Sequence, residues 1–188
     1  MLKMRELCEV PVLFKLQSHP SVYPYVREKA ETSDAYYFII KQTIEAEENG
    51  ELISRTIIDE YHQPIGTITL YDIHNQHGFL ATWIGQPYFG KGYNKMAKTL
   101  FFHEIFSQYK LQAILMKIRK SNVRSLRAAT KLPYVRLANT LFSEIYKDIN
   151  REEDIYDLFV ITKKHYDAYA QFSGPIAEDA VTGGEDVS

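Results

Sequence analysis

Apolar residues in the first fifty positions recur at helical spacing in two segments. The segment Val12–Gln17 predicts a short helix that ends before a His-Pro pair, because proline disfavours helix on its N-terminal side. A second helix is predicted over Asp34–Glu48, with Ser33 as its N-cap and Gly50 closing it. Its apolar positions are Tyr37, Ile40 and Ile44. The chain therefore begins with a helical region.

Three segments rich in β-branched and aromatic residues follow and predict consecutive strands. They are Leu52–Asp59, Ile65–Ile73 and Phe79–Gly85. Short turns join them, so the strands are expected to form an antiparallel meander. An α/β nucleotide-binding module is one alternative interpretation of the chain. The antiparallel meander argues against it, since that fold requires a run of parallel strand–helix units.

Predicted helices and strands alternate in the second half of the chain. A wide apolar face predicts a helix from Lys91 to about Tyr109, and period-two apolar residues predict a strand over Ala113–Arg119. A short helix then runs to Lys131 from a cap at Ser121 or Asn122. The last predicted strands are Leu141–Lys147 and Ile155–Thr162. This order predicts an α/β fold, an α+β mixed sheet with a right-handed crossover.

Composition indicates one globular domain over residues 1–172 and a disordered, Gly-rich acidic tail over residues 173–188. The net charge of −2 provides no field that would recruit nucleic acid or an anionic membrane, and no apolar run is long enough to span a bilayer. The single cysteine, Cys8, is expected to be a small apolar filler, which fits a cytoplasmic protein. Oligomeric state is open, with a homodimer as the commonest assembly.

The glycine-containing segment Phe89-Gly90-Lys91-Gly92-Tyr93-Asn94 precedes the predicted central helix. A helix N-terminus offers unpaired N–H groups and a positive dipole end, and glycine lets the backbone approach a ligand closely. The segment is therefore a candidate phosphate-binding turn. Lys91 either contacts the phosphate as a point charge or is an ordinary solvated lysine.

A second segment lies about thirty residues further along the chain. It consists of Asn122-Val123-Arg124-Ser125, followed by Lys131-Leu132-Pro133-Tyr134. Over roughly residues 50–165 the two segments together resemble the GNAT superfamily of acetyl-CoA-dependent N-acetyltransferases, most closely the branch that acetylates ribosomal-protein N-termini. Gly92 matches the family's first motif, whereas Phe89 and Asn94 depart from its general pattern.

The resemblance implies how the cofactor, acetyl-CoA, is held. The backbone of the glycine segment would bind the pyrophosphate, and Asn122 would contact the cofactor. The fourth and fifth strands would splay apart so that the pantetheine arm pairs with the edge Thr82-Trp83-Ile84. Trp83 is expected to be a core residue or groove wall. No metal is expected, because the six histidines and one cysteine show no ligand spacing.

The resemblance also implies the catalytic residues. Many family members use a tyrosine seven residues after the motif asparagine, and that position here is Ala129. The ribosomal branch uses a serine, which corresponds to Ser125, to protonate the leaving thiolate. The alternative is that Ser125 bonds a backbone carbonyl in its helix. The same branch carries a glutamate that corresponds to Glu144, which is either a base on a groove-facing strand or an ordinary exposed strand residue.

Together these patterns indicate an N-acetyltransferase that transfers acetyl directly to a primary amine in a ternary complex. The favoured acceptor is a peptide or protein N-terminus, whose amine deprotonates easily. A small-molecule amine or polyamine acetyltransferase and a non-catalytic acyl-CoA-binding protein are the alternatives. Tyr23, Tyr25, Tyr36 and Tyr37 are either acceptor-groove walls or packing residues.

Overall fold

The structure is a computed structural model that describes residues 1–173. The predicted disordered tail therefore lies outside the described residues, apart from its first position. In the described part the strands are β1 (Leu2–Lys3), β2 (Ile53–Ile58), β3 (Pro64–His74), β4 (His77–Ile84), β5 (Ala113–Arg119), β6 (Arg136–Leu137) and β7 (Tyr156–Thr162). The helices are α1 (Val10–Gln17), α2 (Ser33–Glu48), α3 (Tyr93–Gln108), α4 (Val123–Thr130), α5 (Ser143–Ile149) and α6 (Lys163–Ser173).

All described strands join one mixed sheet in the order β1-β2-β3-β4-β5-β7-β6. The pairs from β1 to β4 are antiparallel, which confirms the predicted meander. The β4–β5 pair is parallel, and α3 makes the crossover that a parallel pair requires. The predicted mixed α/β fold is thereby confirmed.

The parallel strands β4 and β5 separate along their length. Their pairing runs from His77 opposite Ala113 to Phe79 opposite Leu115 and then stops. The C-terminal parts of both strands therefore border a gap, which confirms the predicted splay. Backbone groups along this gap have no partner strand, so they can pair with an extended ligand.

Helices cover both faces of the sheet. On one face α3 buries Phe101, Phe102 and Ile105 completely against apolar residues of the central strands, and α6 adds Tyr166 to the same cluster. On the other face α1 and α2 form a cluster that reaches Trp83, while α5 packs over β5 and β7. The second face is open between these two groups of helices, beside the gap.

The predicted strand over Leu141–Lys147 is wrong, because this segment contains helix α5. Its apolar residues Phe142, Ile145, Tyr146 and Ile149 recur at intervals of three and four, which puts them on one helical face. They pack on the sheet as that spacing requires. The strand next to β7 is instead the very short β6.

Several boundaries also differ from the sequence prediction. The N-cap of α2 is Thr32, whose side-chain oxygen accepts a hydrogen bond from the Ala35 amide at 3.1 Å, and Ser33 is the first helical residue. Helix α3 begins at Tyr93, two residues later than predicted. Strand β1 and helix α6 were not predicted. No helix in residues 1–173 is long and apolar enough to cross a membrane.

Candidate active site

A cleft of about 440 Å³ opens where β4 and β5 separate. One wall comes from α2 and from the segment that joins α1 to α2, including Tyr25 and Tyr36. The opposite wall comes from β5 and the start of α4. Of the residues predicted from the sequence, the cleft brings together Trp83, Asn122 and Ser125.

The glycine segment lies at the N-terminus of α3. Gly90 and Gly92 have φ values of 77° and 88°, a left-handed conformation that favours glycine. Gly92 is the N-cap of α3, and no side chain caps this helix. The amides of the first turn, including those of Tyr93 and Asn94, are therefore available to an anion.

Arg124 connects the two motif segments. Its guanidinium carbon lies 3.9 Å from the ring centroid of Phe89, so the start of α4 rests on the glycine segment. Lys91 is exposed, and its ammonium lies 5.5 Å from the ring centroid of Tyr88. Two cations thus flank the N-terminus of α3, which is an arrangement suited to a phosphate group.

Asn122 and Ser125 lie at the N-terminus of α4. The side-chain oxygen of Asn122 accepts a hydrogen bond from the Ser125 amide at 3.2 Å, so Asn122 is the N-cap. The Ser125 hydroxyl makes no hydrogen bond within residues 1–173. By contrast, the Ser107 hydroxyl in α3 donates to the His103 carbonyl at 2.6 Å. The bond to a backbone carbonyl that was the alternative role for Ser125 is thus not formed, and Ser125 is one of the residues that line the cleft.

Trp83 and Ile84 occupy opposite faces of β4, as neighbouring strand residues do. Trp83 is half-buried, packs beside the α1–α2 cluster and lines the cleft, which is the predicted position of a groove wall. Ile84 is buried in the core against α3, so its side chain is part of that core while its backbone borders the gap.

Glu144 does not have the surroundings predicted for it. It lies in the first turn of α5, its side chain is 84% exposed, and it pairs with Lys147 at 2.8 Å. It does not line the cleft. The expectation of a desolvated carboxylate on a groove-facing strand is wrong, because the helical spacing of its apolar neighbours turns Glu144 towards solvent.

The cleft is basic, which sequence reasoning missed. Arg27, Lys117 and Arg119 line it, and Glu28 is its one carboxylate among the described residues. The Arg27 guanidinium lies 4.0 Å from the Tyr71 ring centroid, and Lys117 faces the same ring and Phe79. The alternation of β5 held a signal, since Lys117 and Arg119 share one face of that strand.

Three further cations line the cleft, the surface residue Lys29 and the buried Lys98 and Arg5. Lys98 of α3 is 6% exposed, and burial without a partner lowers its pKa to about 8. Arg5 is 8% exposed, and its Nε and Nη2 atoms have no hydrogen-bond partner among the described residues. The buried Thr82 hydroxyl and Gln17 carbonyl oxygen of the cleft are also unpartnered. These orphaned groups indicate a polar ligand, because unsatisfied buried polar atoms are rare.

Residues 1–173 contain no group of three side chains placed to hold a metal ion. The His74 and His77 rings are 4.8 Å apart but have no third ligand. Cys8 is exposed rather than the expected apolar filler. Its hydrogen bond to the Glu6 carboxylate raises its thiol pKa, which disfavours the thiolate.

Solved structures with the same fold include several acetyltransferases. FdhC, described as an apo nucleotide-linked sugar GNAT, is 20% identical and has a TM-score of 0.71, and 94% of its chain matches 92% of this chain. The Vibrio cholerae spermidine N-acetyltransferase in complex with CoA and spermine is 15% identical, with a TM-score of 0.70, and 96% of its chain matches 88% of this chain.

The ribosomal-protein-S5-alanine acetyltransferase from Vibrio fischeri is 14% identical, with a TM-score of 0.67, and 93% of its chain matches 88% of this chain. No curated protein matches the sequence. The family model for the acetyltransferase (GNAT) domain matches residues 2–135, which is more than half of the chain. The chain therefore belongs to the GNAT acetyltransferase family.

Proposed function

We propose that this protein transfers an acetyl group from acetyl-CoA directly to a primary amine, in a complex that holds both substrates. The observation that carries this proposal is that the unpaired edges of β4 and β5 and the residue Ser125 border one cleft, where the parallel strands separate. The uncapped N-terminus of α3 does not line that cleft, but the glycine segment before it contacts the start of α4 through Arg124 and Phe89.

The residues present fit acetyl-CoA. The first-turn amides of α3, with Arg124 and Lys91 beside them, would hold the pyrophosphate. The open edge from Thr82 to Ile84 would pair with the pantetheine arm, and Asn122 lies at the far side of the gap. The cofactor supplies a thioester whose acyl carbon accepts a nucleophile. The chain's own groups supply binding, orientation and protons.

The proposed reaction follows from these positions. The neutral amine of the acceptor attacks the acyl carbon, the C–N bond forms, and the C–S bond breaks. Ser125 donates its hydroxyl proton to the departing sulfur, at a helix N-terminus whose dipole stabilises negative charge, and it regains a proton from water. The amine loses its proton to water in the cleft, where the one carboxylate among the described residues, Glu28, pairs with Arg27 at 2.8 Å. Glu144 is too exposed for the role of base that the resemblance implied.

The acceptor is proposed to be a peptide or protein N-terminus in preference to a polyamine. A peptide α-amine has an unperturbed pKa of about 7.7–8.0, so it is deprotonated more easily than a lysine-like amine near 10.4. The similar solved structures include both spermidine and ribosomal-protein acetyltransferases, and do not decide between them. The basic cleft favours the peptide acceptor, because Arg27, Lys117 and Arg119 repel a polycation such as spermidine.

We expect acetyl-CoA and short N-terminal peptides to release thiol faster than acetyl-CoA with spermidine. The measurement is thiol release from a panel of peptides, free lysine and spermidine at equal concentration, with an acceptor-free control for hydrolysis. Spermidine outrunning every peptide would overturn the acceptor assignment alone. Absence of acetyl-CoA binding at millimolar concentration would overturn the whole function.

The glycine turn is open to a matched pair of variants. Gly92→Val is expected to abolish acetyl-CoA binding, because valine disfavours the left-handed backbone that presents the α3 amides. Gly50→Val is the control, since Gly50 has a similar φ of 74°, equally open space, and a position after α2. Calorimetry with acetyl-CoA should separate the two variants, while both lose similar thermal stability. Equal acetyl-CoA binding by both would exclude the turn as the phosphate site.

A further inference from the structure

Arg5 lies in the cleft as a buried charge whose compensation is incomplete. Its Nη1 atom donates to the Ser54 hydroxyl at 3.4 Å, which is a long contact, and Nε and Nη2 have no partner among the described residues. An arginine guanidinium keeps its positive charge in proteins and cannot relieve its burial by becoming neutral. A guanidinium that is 8% exposed therefore remains charged. Leaving a buried charge without a partner is unfavourable, which points to a missing anion.

The two carboxylates that act on Tyr36 together with Arg5, those of Glu9 and Glu28, pair with other cations. Glu9 is held by the Lys3 ammonium at 3.1 Å and by the Thr56 hydroxyl. Glu28 pairs with Arg27 at 2.8 Å. No ion pair to Arg5 is formed within residues 1–173. The missing partner of Arg5 is thus not a carboxylate from the described part of the chain.

The surroundings of Arg5 are polar and belong to the cleft wall that contains Tyr36 of α2. Tyr36 lies beside Arg5, and the positive charge of Arg5, together with a weak side-chain hydrogen bond between the two residues, partly offsets the rise in the Tyr36 pKa that burial causes. The Ser54 hydroxyl also bonds the Thr69 hydroxyl at 2.8 Å. Arg5 is on the far side of the sheet from the N-terminus of α3, so it is separate from the proposed pyrophosphate site.

The strand register gives the distance between the position of Arg5 and the gap between β4 and β5. Ser54 on β2 is opposite Thr69 on β3, and Thr69 is opposite Ala81 on β4, which borders the gap. Neighbouring strands lie about 4.8 Å apart, so Ser54, which contacts Arg5, is roughly 10 Å from Ala81 on β4. A small acceptor can span that length with its amine at the gap and a second group at Arg5.

We propose that the acceptor is a primary amine that also carries a carboxylate or phosphate, and that Arg5 binds this anionic group inside the cleft. This inference rests on the proposed function, since it names the class of acceptor. Arg27, Lys117 and Arg119 guide such a ligand by charge, while the buried Arg5 binds it by directed hydrogen bonds. The two free donors, Nε and Nη2, suit a bidentate anion.

The test uses matched amines that differ in one anionic group. The dipeptide amide Ala-phosphoserine is compared with Ala-Ser, and the dipeptide amide Ala-Asp with Ala-Asn. Calorimetry measures their binding to the CoA-bound protein, and thiol release measures their acetylation. We expect the anionic member of at least one pair to bind roughly tenfold to hundredfold more tightly, as a charge-assisted contact allows. The pair that responds distinguishes a phosphate from a side-chain carboxylate.

Variants assign the preference to Arg5. Arg5→Gln should abolish the anion preference, and Arg5→Lys should retain part of it. Lys41→Gln, an equal loss of charge at an exposed position of α2, is the control and should leave the preference unchanged. In the ligand-free protein Arg5→Gln should melt no lower than the parent, because it removes an unpaired buried charge. A purely structural Arg5 would instead show a lower melting temperature and an unaltered preference.

Each failure has its own signature. Equal binding of the charged and neutral members in both pairs would overturn the inference, whatever the turnover. A weaker affinity of Arg5→Gln for acetyl-CoA alone would also overturn it, because Arg5 would then contact the cofactor. Absence of thiol release with every amine would instead contradict the proposed function, while the binding comparison would still report on the anion site.

Discussion

Replacing Ser125 by alanine is expected to lower turnover by roughly 10²–10⁴-fold, the usual effect of removing a positioned general acid. Acetyl-CoA affinity should change only a few-fold, because the neighbouring cap, Asn122, bonds the backbone amide of residue 125 and not its hydroxyl. An effect on turnover with little effect on binding is the pattern of a group that acts in the transition state.

The reason lies in what Ser125 does not do in the folded protein. Its hydroxyl makes no hydrogen bond within the described residues, whereas Ser18, Ser107 and Thr130 donate to carbonyls one turn back. It lies in the first turn of α4 and lines the cleft, where the helix dipole stabilises a thiolate until it is protonated.

Two controls make this result specific. Ser107→Ala removes a serine hydroxyl from α3 that bonds a carbonyl, and it should leave turnover unchanged. Glu144→Gln should also stay within about twofold, since the carboxylate is exposed and outside the cleft. Steady-state thiol release and calorimetry on all three variants provide the comparison. Full turnover in Ser125→Ala would show that another group or water protonates the sulfur. Binding without turnover in the parent would favour the non-catalytic acyl-CoA-binding alternative.

The central part of the fold could be predicted from the sequence because local and tertiary signals agree there. The meander, the strand Ala113–Arg119 and the helix that starts after Asn122 all have clear periodicity. The segment around Glu144 was different, because its apolar positions have helical spacing over only two turns, while its aromatic and β-branched residues are also typical of a short strand. Contact with the sheet face decides for the helix, and sequence alone does not contain that contact.

The cofactor side of the site was more predictable than the acceptor side. Glycines with left-handed backbone and a helix cap are local features, so Gly92 and Asn122 are visible in the sequence. Arg5 and Lys98 owe their importance to burial beside residues far away in the chain, such as Ser54 and Met116. No short-range pattern distinguishes a buried lysine such as Lys98 from a solvated one. The sequence therefore holds a signal for Lys117 and Arg119, which share one face of β5, but none for Lys98 and Arg5.

Lys98→Met is expected to stabilise the ligand-free protein by about 3 kcal/mol near neutral pH. Burial without a partner lowers the Lys98 pKa from 10.5 to about 8, and each unit corresponds to about 1.4 kcal/mol. Methionine keeps much of the apolar stem and removes the charge, so the variant loses the desolvation penalty without opening a large cavity.

Because the pKa of Lys98 is lower in the folded than in the unfolded protein, the stability gained by Lys98→Met depends on pH. Below about pH 8 the lysine is charged in the folded and unfolded states, so the full penalty is present. Between about pH 8 and 10.5 the unfolded chain binds more protons at this site, and the parent gains stability as the pH rises. Above that range both states are neutral and the penalty disappears. The stability difference between variant and parent should therefore shrink steadily across this interval.

Urea unfolding of both proteins near pH 7, 9 and 10.5 measures that difference directly, since groups common to both proteins cancel. Lys95→Met is the matched control, because Lys95 lies in the first turn of the same helix but is exposed, and it should change stability little at any pH. A Lys98→Met difference that does not vary with pH would show that packing, and not the buried charge, separates the two proteins. A destabilised variant near neutral pH would mean that the Lys98 ammonium has a stabilising partner in the folded state.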